Sequence, residues 1–489
     1  MTLKQNCFLS PLVTTSRLVK TQLRMQVGKS SPLRLPVVLF IIIMTGLNLQ
    51  AVDPITNAPG WLTQPLSLPE ALNIALSRNS TLLKAQSDLE AARGVSIQTK
   101  AIALPKVRGS GRYAHDEAVE RSIFGNFKTP QDQWQGDVRI TQSIYEGGRI
   151  RSSIRTAKLT IEQATLRYAN AVADVLLDVR TAYYNILEAQ QRITVQEASV
   201  RLLSEEFTNT TKRFDAGTVP RFDVLRAEVE VANARPRLIR ANNDYRVAKN
   251  NLAVALGFNL PRNIGQEIPL TLTDKLEAEP YPLELSNAIA EAIKNRPELG
   301  VARAEEALRS EQIVRAKAGY KPSVQVFGGY GGRNATFVDD FFQDVSGAIG
   351  GIELSWDFFD GNLTRGRVIE AKALRERAHY DTEDLARRIE LEVRTSFSEF
   401  IQASEVLESQ KKVQEQAEES LRLAIARYDA GTGTQLDVLN AQTSLTEART
   451  TQIQALRDYD VARARLRRAI GEDVAQLPAT KPARVNSAK

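Results

Sequence analysis

Between Arg149 and Ala216 the apolar positions recur in steps of four and three. They run Ile150, Ile154, Ala157, Ile161, Ala164, Tyr168, Ala171, Val175, Val179, Ala182, Ile186, Ala189 and Ile193, then Gln196, Val200, Leu203 and Phe207. This is the stripe of a helix packed in coiled-coil fashion, with one stutter at Ala171–Val175–Val179 that locally unwinds the supercoil. The stretch holds 68 residues with no glycine or proline. At ~1.5 Å per residue it predicts a helix of about 100 Å. Much of the seam is alanine, so helices approach closely, and neighbouring chains are expected to supply its other side. Gly217 predicts a left-handed cap, and a returning helix is expected from after Thr218 to about Leu256, kinked at Pro236.

Upstream the period changes. Leu66–Ala103 reads as helix, broken near Ser77–Ser80, softened at Gly94 and ended by Pro105. Val107, Gly109, Gly111 and Tyr113 then alternate with polar or small residues. After a polar loop (114–133), Trp134, Val138, Ile140 and Ile144 do the same. Each alternating stretch is about ten residues, the length a tilted strand needs to cross a bilayer.

The whole order recurs. Arg213–Arg235 returns 214 residues later as Arg427–Arg449 with 11 of 23 positions identical and no gap. The same shift pairs Gly147 with Gly361 and Gly257 with Gly471. A shift of 217 pairs Leu82 with Leu299, Pro105 with Pro322 and Tyr113 with Tyr330. A duplication of this length defines the architecture. The expected divisions are a leader (1–51), a first repeat (52–257), a proline-rich irregular linker (258–282), a second repeat (283–471) and a polar, mobile tail (472–489). In the second repeat we expect helix at Leu283–Ala318 with a break at Arg296-Pro297. Strands are expected at Val324–Tyr330 and Ala348–Phe358, a long helix at Arg367–Ala430, and a return at Thr434–Ile470.

Charge narrows the reading. Residues 1–51 carry Lys4, Arg17, Lys20, Arg24, Lys29 and Arg34, no Asp or Glu, and the apolar run Val37–Met44. That reads as a secretory signal with cleavage after Ala51, too short to span as a helix; Met25 would give a leader of more ordinary length. Without it, 58 Lys and Arg balance 58 Asp and Glu. The basic pI belongs to the leader, and nothing supports a nucleic-acid partner. Cys7 is the only cysteine and lies in the leader, so neither disulfides nor a lipid anchor are expected.

Four strands cannot close a barrel, and an open edge cannot sit in lipid. If the strands are transmembrane, several chains share one barrel, and three give twelve strands. The fold class expected is therefore mainly α with a small β part. Duplicated coiled-coil hairpins form an α-barrel, and four transmembrane strands per chain form a trimeric 12-stranded β-barrel.

The residues that organise this pattern resemble the TolC family of outer-membrane channel proteins. The resemblance rests on the duplication, on Pro105 and Pro322 before the first strand of each copy, and on the glycine turns Tyr145-Glu146-Gly147-Gly148-Arg149 and Phe359-Asp360-Gly361. It rests also on the tip motif Gly-Thr-x-x-x-x-Asp-Val-Leu at 217–225 and 431–439. It covers nearly all of the chain after the leader. It implies a homotrimer in outer-membrane lipid with a helical tunnel in the periplasm. It also implies an exit duct docking a periplasmic adaptor protein and an inner-membrane pump. By resemblance, Tyr428 bonds Asp223 to close the periplasmic end and Asp437 forms an acidic ring. Gly217, Thr218, Val224, Leu225, Gly431, Thr432, Val438 and Leu439 are the adaptor-contact tips. The chain departs from the family pattern at Gly433, where an arginine lock is expected, and at Asn440, where a second acidic ring is expected; Arg221 could take part instead.

Each feature also has a plainer reading. The tip residues serve as caps and helix starts whatever else they do. Tyr113, Trp134, Tyr330 and Trp356 form either an interfacial girdle or ordinary strand residues. Gly329–Asn334 (GYGGRN) lacks the Lys-Ser/Thr of a phosphate loop and is expected as a loop between strands. The two histidines, His115 and His379, are far apart, and no nucleophile motif or metal cluster is present, so no catalytic site, cofactor or metal is expected. A periplasmic coiled-coil adaptor is the alternative function; it should have one hairpin flanked by soluble β domains.

Overall fold

Two helices of 67 residues each set the frame of the structure, Arg149–Asp215 and Leu363–Asp429. The structure is a computed structural model describing residues 64–115, 119–122, 125–128, 132–260, 267–334 and 344–475, all within one compact unit, Ala58–Lys489. The expected leader and most of the expected tail lie outside the described residues. In chain order the helices are α1 (Leu68–Arg78), α2 (Ser80–Lys100), α3 (Arg149–Asp215), α4 (Arg221–Ala255), α5 (Leu285–Asn295), α6 (Pro297–Lys317), α7 (Leu363–Asp429), α8 (Gln435–Ile470) and α9 (Glu472–Ala475). The strands are β1 (Lys106–His115), β2 (Val119–Ser122), β3 (Gly125–Lys128), β4 (Asp132–Glu146), β5 (Ser323–Asn334) and β6 (Asp344–Ser355).

The breaks expected near Ser77–Ser80 and at Arg296-Pro297 are present, and each has a chemical cause. Asn79 caps α2 by accepting from the Thr81 N–H at 2.8 Å, and its side-chain amide donates to the Ala255 carbonyl at 2.7 Å. Arg296 does the second job in the other copy, donating to the Ala469 carbonyl at 3.5 Å. Gly257 ends α4 at φ +79°, and a Cβ there would lie 2.3 Å from the Arg78 carbonyl oxygen, so only glycine lets the helix end this close. α4 is helical throughout despite Pro236. α7 starts four residues before the expected Arg367. Asp360 accepts from the Thr364 N–H at 2.8 Å, and Gly366 falls in the first turn, where a weak helix former is tolerated.

β1, β4, β5 and β6 form one antiparallel sheet in that order. Two expectations about its margins change. The polar loop 114–133 contains the β2–β3 hairpin, and Gly331–Asn334, expected as loop, continue β5 to its end. Glycine there serves close packing, because a Cβ on Gly331 would lie 2.9 Å from Asp137 Cβ. The register sorts the side chains onto two faces, since directly opposed residues share a face. One face carries Val107, Tyr113, Trp134, Val138, Ile140, Val326, Tyr330, Ile352 and Leu354 among glycine and alanine. Its only charged groups lie at the loop end. The other face carries the charged and most of the polar residues, with Phe327, Val345 and Ile349 among them. A bulge at Ser143/Tyr145 shifts the parity of β4 near its helix end, so Ile144 does not continue the alternation of Val138 and Ile140.

The helices pack as a layer. α2, α3, α6 and α7 are successive neighbours nearest the sheet, and toward the hairpin tips the order is α4, α3, α8, α7. The largest core surrounds Tyr183, which is fully buried and donates to the Leu66 carbonyl and to Asp274. Here Val172–Ala189 is buried on more than the seam face, because Ile268, Leu270 and Leu276 of the expected irregular linker pack onto it. The linker is thus irregular but not loose: the Leu66 N–H donates to the Thr271 carbonyl at 2.9 Å. Arg180 and Asp473 form a buried bidentate pair that ties α9 to α3, at 2.5 and 2.8 Å. The α3 seam was expected to need other chains; the chain's own helices bury Ala157, Val175, Val179, Ile186, Ala189, Gln196 and Leu203 of it and leave the other seam positions half-buried. The uncovered apolar side chains lie instead on the flanks, among them Phe222, Leu225, Val229 and Ile239 of α4 and Ile369, Leu391 and Ile401 of α7.

Candidate functional site

The two hairpin tips share one backbone solution. Gly217 has φ +77° and Gly431 φ +75°. At the first tip the Thr218 N–H and hydroxyl both donate to the Arg213 carbonyl, at 2.9 and 2.8 Å. At the second, the Thr432 N–H and hydroxyl donate to the Arg427 carbonyl at 2.9 and 3.2 Å. The glycine and threonine of the repeated motif are therefore a helix stop: left-handed glycine, then a residue that returns to the last open carbonyls.

Beyond the caps the tips differ. α8 starts with a reciprocal cap in which the Thr434 N–H and hydroxyl donate to Asp437 Oδ2 at 2.9 and 2.7 Å, and the Asp437 N–H returns a bond to Thr434 Oγ1 at 3.2 Å. These bonds, first the one from the Thr434 backbone, hold the Asp437 carboxyl below the usual carboxylate range. α4 starts at Pro220, which has no side chain to cap with, and Asp223 is in its first turn without such a box.

Val224 is half-buried and Leu225 exposed, with exposed Phe222 beside it. Their repeat partners Val438 and Leu439 are buried inside the chain. Val438 packs with Leu421, Ala441 and Leu445 against Tyr428, and Leu439 packs onto Leu203, Val231 and Ala234 of the first hairpin. Of the residues expected to form the tips' contact surface, Gly217, Thr218, Leu225, Gly431 and Thr432 face outward, whereas Val438 and Leu439 join helices to one another. The Gln435 amide adds a buried bond to Thr210 Oγ1 at 2.7 Å. Sequence reading missed Gln435 and Thr210, because a polar pair across 225 residues has no periodicity to betray it.

Within the chain Tyr428 and Asp223 are not hydrogen-bonded among the described residues. The Tyr428 ring instead has the Arg213 guanidinium 4.6 Å from its centroid, and Arg213 also reaches Asp429 at 3.3 Å. Gly433, where the resemblance led us to expect arginine, sits so close that a Cβ would lie 3.0 Å from Arg427 Cβ and 3.1 Å from the Tyr428 nitrogen. Glycine is thus the residue that fits, and the cation at this place comes from α3. Asp437, Asn440, Glu415, Glu419 and Arg427 line an open groove of about 740 Å³ between α7 and α8, with carboxylates outnumbering the one arginine.

The histidines are dispersed: His115 lies 2.8 Å from Asp132 at the loop end of the sheet, and His379 lies on α7 between Glu306 and Glu383. No group of His, Cys, Asp and Glu among the described residues could hold a metal ion. No described helix is long and apolar enough to cross a membrane.

Comparison with known proteins places this geometry. A family model described as "Outer membrane efflux protein" matches residues 71–258 and 288–472, one match on each side of the linker. The chain is 23% identical to the outer membrane protein TolC of Escherichia coli over 440 residues, covering 88% of this chain and 85% of that protein. It is 24% identical to the alkaline protease secretion protein AprF of Pseudomonas aeruginosa, covering 82% of this chain and 84% of that protein. Its fold matches the solved Campylobacter jejuni CmeC outer membrane channel with a TM-score of 0.71 at 16% identity, covering 83% and 85% of the two chains.

Proposed function

Because the chain belongs to the outer membrane efflux protein family, we propose that three copies assemble into an outer-membrane duct through which an efflux or type I secretion system discharges its cargo. The observation that carries this is the sheet. It has four strands of 10 to 15 residues, one apolar and one charged face, and two open edges, β1 and β6. An edge in lipid must be paired, and joining β6 of one chain to β1 of the next closes the sheet around a polar interior. The flanks agree, since closure brings the exposed apolar side chains of α4 and α7 on adjacent chains into one seam.

Docking of a periplasmic adaptor and an inner-membrane pump is assigned to the outward-facing tips, Gly217, Thr218, Leu225, Gly431 and Thr432. Asp437 is assigned to the constriction of the closed state. Tyr428 and Asp223 are assigned to its closure, with Arg213 as the group on Tyr428 within one chain. The adaptor reading is less well supported, because both hairpins grow from a single sheet with a lipid-compatible face, not from separate soluble β domains. The test is the detergent-solubilised protein: its mass should be three chains, and the same particles should conduct ions in a planar bilayer. A monomer that conducts nothing would overturn the duct.

A further inference from the structure

The charged face of the sheet is not balanced. Its strand residues include Lys106, Arg108, Arg112, Arg139 and Arg333, against Asp137, Glu353 and, at the helix end, Glu146. Glu146 is matched by Arg149 at 3.7 Å, and Asp137 accepts from Ser110 at 2.5 Å. The register arranges the arginines in two tiers. Arg108 is directly opposite Arg139. Arg112 and Arg333 both oppose Gln135, about 13 Å further toward the loops at the rise of an extended strand. All four arginines are exposed. Among the described residues none of them is ion-paired; Arg139 rests on the Phe327 ring, 4.2 Å from its centroid. Gly329, Gly331 and Gly347 share the face, and its bulky apolar members are Phe327, Val345 opposite Arg333 and Ile349 opposite Gly329.

Like charges placed directly opposite on neighbouring strands destabilise the pair. Arg108 and Arg139 hold that arrangement without an ion pair among the described residues; the nearest carboxylate on the face, Asp137, lies one same-face position along β4 and accepts from Ser110. The apolar character of the opposite face leaves this one to line the pore, because charged side chains toward lipid are costly at mid-membrane. Resting on the duct reading above, we propose that the β-sheet section is an anion-favouring filter, its wall carrying two tiers of six arginines in the trimer, and that it favours anionic cargo on the way out. Rings of arginine or lysine select anions by lowering the electrostatic barrier to their entry. The tip acts with the opposite sign through Asp437, so the two ends of the duct discriminate by different charges.

The experiment measures reversal potentials of the purified trimer in a neutral planar bilayer with unequal KCl. Asp437→Asn serves as the background, so that the tip does not mask the barrel. That channel should prefer chloride to potassium. Adding Arg108→Gln, Arg112→Gln, Arg139→Gln and Arg333→Gln should lower the chloride-to-potassium permeability ratio roughly two- to threefold. Hexacyanoferrate(II) added on the barrel side should reduce current in the background channel and not in the quadruple variant, while the matching four Arg→Lys changes should keep both properties. If the quadruple variant does not assemble, the two tiers are neutralised separately, Arg108 with Arg139 and Arg112 with Arg333. Conducting channels with equal ratios and equal block would overturn the filter and leave the duct standing; absence of any conductance in the parent trimer would overturn the duct itself.

Discussion

Two carboxylates show how far residue chemistry reaches in this chain. Asp437 is exposed and pinned by Thr434, so it stays charged at any pH above the ordinary carboxylate range. In a trimer three such groups around one axis attract multivalent cations. Hexaamminecobalt(III) on the periplasmic side should therefore block conductance, and block should persist at mildly acid pH. Because Asn440 supplies no second ring, block should be weaker than a double ring would give. Asp437→Asn should lose block while assembling normally, since asparagine also caps helices; equal block in both proteins would place the ring elsewhere. Asp460 is the opposite case. It is buried on α8, and burial pushes its carboxyl up to about 6, with Arg463 at 3.4 Å opposing the shift and Glu279 adding to it. A folded-state value above the unfolded one means that the group's contribution to stability is complete below pH 4 and is lost as pH rises through 6. Asp460→Asn should raise thermal stability at pH 7 or above, by about 3 kcal/mol at most. The gain should vanish near pH 4, and melting curves at the two pH values check it; a constant difference would mean that the effect is packing and not charge.

At the scale of elements, the helical hairpins were largely legible in the sequence and the pairing between them was not. A glycine-free run with a three-four seam names a helix and its length, as α3 matched its expected span to within a residue. Breaks were visible for the same reason: proline, glycine and asparagine leave local signatures. What covers a seam is not local, so the α3 seam was expected to await other chains when α4, α6 and α8 already cover part of it, most fully at Val175–Ala189. The divergence of Leu225 from Leu439 was hidden for a similar reason, since identical motifs gave no sign that one copy faces outward and the other faces a neighbour. The turn glycines themselves can be tested as elements. A Cβ at Gly217 or Gly431 meets nothing within 4 Å, so valine there strains only the backbone, at about 1–2 kcal/mol each. The double variant Gly217→Val, Gly431→Val should distort the tips and abolish transport while its trimer keeps its heat-sensitive migration. Normal efflux from cells carrying it would remove the tips from docking.

At the scale of the whole molecule, balanced charge concealed an unbalanced sheet. Residues 52–489 have equal numbers of acids and bases, and that balance says nothing of where the charges sit. Register does, because alternation puts Arg108, Arg112, Arg139 and Arg333 on one surface and removes all charge from the middle of the other. The same alternation, interrupted only by the bulge at Ser143/Tyr145, fixes which surface meets lipid. Aromatic side chains then fall near both ends of the apolar face, with Tyr113, Trp134 and Tyr330 toward the loops and Tyr145 toward the helices, where Trp356 follows just beyond the end of β6.

The two open edges have a genetic consequence. Each chain contributes one margin to each of the two seams it joins, β1 to one and β6 to the other, so a copy with a faulty β6 spoils one of the three closures, and one open seam is enough to open the barrel. Proline at the adjacent positions Gly350 and Gly351 removes one hydrogen-bond donor from each side of β6, including the outward one. Expressed beside an equal amount of the normal chain, that variant should be dominant. Random mixing leaves only about one trimer in eight free of it, so transport should drop to near that fraction. A fall to only half would mean that chains sort before they close, or that a damaged edge still seals.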